Sequence, residues 1–358
     1  MEPADRAPHR DLRIGSLYGL TSAILFGAST PFSKLLLPGV GPLMLAALLY
    51  LGAAILIAIF RLSSLLWRQG SAEAKLRRAD IPVLCAIVGV GGVLAPVLML
   101  FGLVRISALA GSLLLNLEAV FTILFAVLLF REHLGLDGAV ASCLVVLGAI
   151  MLSHQSGPVR GDLLGTFEIV GACLCWALDN NLSQGLSVRD PVAVVLVKTA
   201  GAGSTALILS LLIGNAFPAP AYLIGSVLLG SLSYGVSLLC VMLAFRYLGA
   251  ARQAAWFSTA PFVGAALSIP IFGALPTSTE LLGATLMLAG ILLLVREHHA
   301  HVHTHEVLEH DHLHFHDQHH AHEHAEPVLE AHSHLHRHDP ITHEHPHVSD
   351  IHHRHRHA

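Results

Sequence analysis

Charge is what this sequence has least of. Asp, Glu, Lys and Arg make up 12% of 358 residues, about half the share of a soluble globular chain. The charges are also segregated, because the last sixty-odd residues are polar throughout. What precedes them is therefore more apolar than the overall 54% hydrophobic content, and a soluble class is excluded in favour of a chain solvated by lipid. Alternating polarity is missing too. From Val120 to Phe130 only Thr122 is polar, which excludes a membrane barrel and reads as continuous helix. No Gly-x-x-x-x-Gly-Lys-Ser/Thr pattern occurs, so the chain has no recognisable ATPase of its own, and no His-Glu-x-x-His suggests an intramembrane hydrolase. Cysteine is scarce: Cys85, Cys143, Cys173, Cys175 and Cys240 all lie in apolar runs. Cys173 and Cys175 point roughly 200° apart on a helix. The five read as small core residues, not as a disulfide set or a metal site. The first apolar run is long enough to span and shows no clear cleavage site, so no removable signal is expected.

What is present is a series of apolar runs of membrane length. A spanning helix needs about 20 apolar residues. Ten windows qualify, near 16–37, 41–61, 81–103, 107–130, 136–153, 163–186, 192–213, 220–245, 250–272 and 278–296. Lysine and arginine set the expected orientation. With the amino terminus cytoplasmic, that side holds 13 basic residues and the opposite loops only Arg105 and Arg160. Both termini are then cytoplasmic, in a plasma (cytoplasmic) membrane. An internal repeat is expected as well. Phe26-Gly27-Ala28 matches Trp176-Ala177-Leu178 at an offset of 150, and Val120-Phe121 matches Phe262-Val263 at 142. Five spans per half would put the second half in the membrane inverted, with the substrate site between the halves. The expected fold is thus all-α and integral to the membrane. It has about ten helices as two inverted five-helix repeats (16–153 and 163–296), a short cytoplasmic segment at 1–15, and a disordered tail at 297–358.

Ionisable residues inside a span cost several kcal/mol, about 2.5–3.5 on insertion scales, so those present are informative. Glu118 is the deepest, roughly 16 Å from either interface. It reads either as a carboxylate coupling proton and substrate movement or as a neutral hydrogen-bonding group. Asp179 and Lys198 lie at matched depth in neighbouring helices and are expected to form an ion pair. Asn180 and Asn181 serve either substrate or helix contact. Lys34, after Pro31, either snorkels to the interface or reaches the cavity. Glu168 is expected at an interface. Trp176, Trp256 and Phe257 are candidate cavity linings.

These residues carry a resemblance. Phe26 to Lys34, Asn116 to Thr122 running on to Arg131-Glu132-His133, Trp176 to Asn181, and Phe257 to Phe262 stand in the order and spacing of a known family. The chain resembles the EamA family of the drug/metabolite transporter superfamily over about 16–296. The resemblance implies a ten-helix carrier with a central cavity that exports small metabolites, amino acids or drugs, often against protons. Two positions depart from the family pattern: Ala119 stands where a Pro is common, and Ala274 where a Glu usually ends the ninth helix.

The tail holds 24 of the 27 histidines. They recur as His-x-His at His301, His303, His305; His310, His312, His314, His316; and His332, His334, His336, His338. Neutral imidazole suits zinc, nickel, cobalt and copper, and in an extended chain residues i and i+2 fall on one side as a loose clamp. No cofactor is required by this reading; a divalent metal is the expected tail ligand. Residues 298–358 also change charge with pH, from −7 with neutral histidine to +17 fully protonated, around the ordinary histidine value near 6.5. The leading expectation is a secondary exporter of small organic solutes with a metal- or pH-responsive tail. The alternatives are a divalent-metal efflux carrier with the tail as collector, and a membrane-anchored metal sensor that transports nothing. The expected partners are the bilayer, a small-molecule substrate and a second copy of the chain; nucleic acid is not among them. No enzymatic activity is expected.

Overall fold

The computed structural model describes residues 7–66, 74–130, 136–153, 162–186, 189–273 and 275–296, and in the tail 299–304, 308–314, 332–338 and 342–347. Up to residue 296 the described chain is helical apart from turns. In chain order the helices are α1 (Ala7–Leu36), α2 (Pro42–Leu66), α3 (Ile81–Ala86), α4 (Ala95–Arg105), α5 (Ala108–Leu114), α6 (Leu117–Phe130) and α7 (Leu136–Ser153). They continue as α8 (Leu163–Gln184), α9 (Pro191–Leu212), α10 (Pro220–Gly230), α11 (Ser237–Phe257), α12 (Ala260–Phe272) and α13 (Ser278–Arg296).

Seven stretches are long and apolar enough to cross a membrane: Pro42–Ser64, Arg78–Arg105, Ala108–Phe125, Leu163–Gln184, Pro191–Leu212, Pro220–Phe245 and Ala255–Phe272. Leu136–Leu152 and Ser278–Leu293 are shorter apolar helices, and α1 completes the ten. The distribution of polarity agrees with lipid as solvent. Leu128, Phe167, Leu136 and Leu212 lie exposed, while Ser22, Ser33, Ser112, Thr199 and Ser210 are fully buried. A water-soluble fold puts these classes the other way round.

The helix ends follow local chemistry. Asp190 accepts from the backbone N–H groups of Val192 and Ala193 at 3.0 and 3.2 Å, with Pro191 at the first helical position of α9. Asp162 caps α8 through Leu164 N at 2.9 Å. Thr277 and Glu280 form a reciprocal capping box ahead of α13: Glu280 accepts from Thr277 N at 2.7 Å and Thr277 Oγ1 accepts from Glu280 N at 3.2 Å. The α12 helix stops at Gly273, whose φ of 65° lies in the left-handed region.

Four spans are interrupted, in corresponding places of the two halves. Residues Ile87–Leu94, between α3 and α4, and Ser231–Val236, between α10 and α11, are wound as wide π-helical turns. The fourth span breaks at Leu115–Asn116 between α5 and α6, and the ninth at Ser258–Thr259 between α11 and α12, at an offset of 143. The α11 hydrogen bonds run on through Phe257, past the sequence gap expected between windows eight and nine. Yet Ser237 Oγ donates to Ser22 O at 3.0 Å and Gln253 Nε2 reaches Ser22 Oγ at 3.5 Å. Sixteen residues of straight helix would separate those groups by about 24 Å, so the chain turns back between them.

The halves pack against each other through α2 on α9, α7 on α13, and α1 against α11 and α12. Ion pairs fasten the ends: Arg61 to Asp190 at 2.8 Å, Arg189 to Asp80 at 3.0 Å, and Arg105 to Asp162 and Glu168 at 3.3 and 3.1 Å. Glu168 thus sits where expected, near a span end. At Gly27 and Gly264, α1 and α12 come into backbone contact: a methyl group on Gly264 would lie 2.7 Å from the Gly27 carbonyl oxygen. Pro31 lacks the N–H that would otherwise engage that carbonyl.

The disordered tail was expected over residues most of which lie outside those described. The four described segments run extended and pair antiparallel. His299–Thr304 (β1) pairs with Thr342–His347 (β4), and Leu308–His314 (β2) with His332–His338 (β3). His-x-His has the period of two that a strand requires.

Candidate functional site

The ionisable residues of the spans meet around α8. Asp179, about a turn and a half before the end of that helix, accepts from Lys198 Nζ of α9 at 2.5 Å, and both side chains are 5% exposed. The ion pair expected from matched depth is therefore formed. Ser183 donates to the second Asp179 oxygen at 3.4 Å. On the neighbouring residue, Asn180 Nδ2 donates to Glu118 Oε1 at 2.7 Å. Glu118 stands in the first turn of α6, directly after the break at Leu115–Asn116, and is 9% exposed. That position suits an acid, because the free N–H groups of a helix start favour negative charge. Its hydrogen-bond partner Asn180 is neutral, whereas Asp179 has a cation against it.

A ring cluster lies beside these groups. Phe26 of α1 packs edge-on against Trp176 of α8 with centroids 5.6 Å apart, and against Tyr234 at 5.7 Å and Phe257 at 5.1 Å. Tyr50 of α2 meets Tyr234 at 5.0 Å. Phe26 and Trp176 are the two residues that the 150-residue offset equates, so the halves touch there through matching positions. The Tyr50 hydroxyl and Trp176 Nε1 both donate to the Gly91 carbonyl, at 3.2 and 3.1 Å. Gly91 sits in the wide turn Ile87–Leu94, where the ladder leaves carbonyls available. It must also be glycine on steric grounds, because a methyl group there would collide with the Asp179 carboxyl carbon. One backbone position thus joins the rings to the ion pair.

The remaining sequence candidates separate from this centre. Lys34 Nζ donates to the carbonyls of Leu103, Val104 and Ile106, the last two at 3.4 and 3.1 Å. It caps the end of α4, as a cation suits a helix C-terminus. Asn181 donates to Ala177 O at 2.8 Å and lies 3.5 Å from Thr122 O, joining α8 to α6. Trp256 packs on Gly19 of α1. Among the metal candidates, His305 and His316 lie outside the described residues, as do Arg131 to His133 and Ala274. The other metal candidates stand in the four extended tail segments. Elsewhere among the described residues no three His, Cys, Asp or Glu side chains gather as a metal group.

Sequence reasoning missed Tyr50, Tyr234 and Gly91. The signal available for Gly91 was the glycine cluster Gly89, Gly91, Gly92 inside a span. Tyr50 and Tyr234 stood out only as two of five tyrosines in the chain.

These features define a polytopic helical membrane protein with buried ionisable and aromatic groups where its two halves meet. The model of the EamA-like transporter family matches residues 13–154 and again 163–296. The chain belongs to that family, and is a transporter of the drug/metabolite class. An uncharacterized transporter of Methanothermobacter thermautotrophicus is 30% identical over 288 residues, 77% of this chain and 84% of its own length. A solved crystal structure shares the fold at 17% identity with a TM-score of 0.59, covering 78% of this chain and 95% of that one.

Proposed function

We propose that this chain is a secondary carrier that exports a small organic solute, a metabolite, amino acid or drug, in exchange for protons, with Glu118 as the coupling group. The observation that carries the reading is the contrast between the two buried acids. Asp179 is neutralised by Lys198, whereas among the described residues the Glu118 carboxylate has the Asn180 amide as its hydrogen-bond partner and no ion pair. A buried carboxylate without a counter-ion is costly unless it takes up a proton or a cation. The adjoining rings of Phe26, Trp176 and Tyr234 offer an apolar surface for an organic molecule. Five spans in each half would invert the second, which supports alternating access about a site between them.

The test is proton-coupled flux in proteoliposomes loaded with a pH dye and challenged with a panel of amino acids and amines. For any compound that moves protons through the native protein, Glu118→Gln should keep substrate-induced thermal stabilisation and lose the pH-driven flux. Unchanged proton-linked flux in that variant would remove Glu118 from the mechanism.

A further inference from the structure

We infer that the hydroxyls of Ser29, Ser33 and Tyr234 form the polar end of the substrate site. They select an organic solute that joins an aromatic or apolar body to an uncharged hydrogen-bonding group, a hydroxyl or an amide. The inference rests on the organic-solute reading above and deepens it. Tyr234 stands in the wide turn Ser231–Val236, which packs on α1 and α2. Its ring is flanked by Phe26 at 5.7 Å and Tyr50 at 5.0 Å. The residue is 1% exposed, yet its hydroxyl makes no hydrogen bond among the described residues. A buried tyrosine hydroxyl usually finds a partner, and Tyr50 in the same cluster does so at the Gly91 carbonyl. What the Tyr234 hydroxyl faces is Ser29 of α1. Ser29 and Ser33 are fully buried, and among the described residues their hydroxyls are equally without a hydrogen bond.

Phe26, Ser29 and Ser33 recur at spacings of three and four, so they share one face of α1. That face reads ring, hydroxyl, hydroxyl over about 10 Å of helix, the length of a small molecule with an apolar and a polar end. Ser22, on the other side of Phe26 in the same stripe, differs: its hydroxyl donates to the Gly19 carbonyl at 2.7 Å. Other buried hydroxyls of the bundle do likewise. Thr199 donates to Val195, Ser226 to Tyr222 and Ser268 to Gly264, each at 2.7 Å. The hydroxyls without a bond gather instead around the second half of α1. Thr30, three residues after Gly27, and Ser112, beside Gly264, share the neighbouring crossing of α1 with α12. A buried polar group left unpaired costs free energy unless some state of the protein supplies a partner, and a bound solute supplies one. Its chemistry follows from the groups at hand. Hydroxyls both donate and accept, so they match an uncharged hydroxyl or amide. An anionic group would call for a cation, and Lys198 and Lys34 are already engaged, by Asp179 and by the carbonyls that end α4. The rings take the apolar body. A site built to hydrogen-bond a solute hydroxyl discriminates against the analogue that lacks it.

The experiment measures binding to the full-length protein in detergent by calorimetry, with matched pairs that differ by one hydroxyl: tyramine against phenethylamine, and tyrosine against phenylalanine. The native protein should bind the hydroxylated member of at least one pair more tightly by roughly 2–10-fold, the worth of a neutral hydrogen bond. Tyr234→Phe and Ser29→Ala should each remove that preference by weakening the hydroxylated compound alone. Ser22→Ala, on the same stripe but with its hydroxyl already bonded, should keep it. Without ligand, Tyr234→Phe should not lower the thermal transition, because the deleted hydroxyl has no bond to lose. A clear fall would show that the hydroxyl is paired inside the protein, and the premise would go. The inference is overturned if the native protein shows no preference in either pair, if the preference survives in Tyr234→Phe or in Ser29→Ala, or if Ser22→Ala removes it too. This outcome is separate from the coupling test. A preference lost in Tyr234→Phe and Ser29→Ala supports the polar end even where Glu118→Gln leaves proton-linked flux unchanged, whereas no binding by any of the four compounds overturns it whatever Glu118 does.

Discussion

Two charges taken out of water into a helix bundle hold only as a pair, and Asp179 with Lys198 is such a pair. Removing one partner leaves the other uncompensated, which costs about 3–5 kcal/mol, while replacing both by apolar groups of similar size is often neutral. Asp179→Leu alone should therefore lower the thermal transition of the detergent-solubilised protein strongly, and so should Lys198→Met alone. Asp179→Leu with Lys198→Met should recover most of the loss. If the double variant is as unstable as either single one, the pair does more than neutralise itself, and Lys198 becomes a candidate partner for Glu118 in another state. This pair was legible in the sequence because depth in a helix can be counted from its end. The Asn180 bond to Glu118 was not, because which face of α8 meets α6 depends on the rotation of both helices.

At the scale of the element, the spans were readable and their interruptions were not. Twenty apolar residues in a row have few other solutions, so most windows and helices agree within a few residues; the exceptions are α1, which starts nine residues early at Ala7, and α11, which runs across the gap between windows eight and nine. The breaks at Leu115–Asn116 and Ser258–Thr259 leave that apolar pattern untouched, as do the wide turns at Ile87–Leu94 and Ser231–Val236. They change hydrogen-bond partners, and composition does not record those. Where a special conformation falls on a glycine, it can be tested. Gly273 ends α12 at a φ of 65°, whereas Gly41 has open space around it and no positive φ. A side chain in the left-handed region costs about 1–2 kcal/mol. Gly273→Ala should lower the stability by about that amount, read as a clear drop in the thermal transition, and Gly41→Ala should leave the transition nearly unchanged. Equal effects would mean that the α12 terminus tolerates a side chain and that its stop is set by the residues following it.

At the scale of the molecule, the open choice is whether the histidines feed the transport path or stand apart from it. The ring cluster could not be read from sequence, since Phe26, Tyr50, Trp176, Tyr234 and Phe257 come from five separate helices. Once assembled, it suits an organic solute better than a hydrated dication, which must exchange its water for several oxygen or nitrogen ligands. The spans supply Glu118 and a pre-neutralised Asp179, whereas the imidazoles are in the tail. If the tail regulates a carrier of organic solutes, a chain ended after Glu297 should still move its organic substrate. Neither it nor the whole protein should then move zinc, nickel or cobalt across a proteoliposome membrane, even where the whole protein takes them up in its tail. Added zinc should change the rate of organic flux through the whole protein and leave the shortened one unaffected. Metal flux that survives the truncation would reverse the assignment. It would make the centre around Glu118 a path for the ion, and the tail a device that raises the local supply.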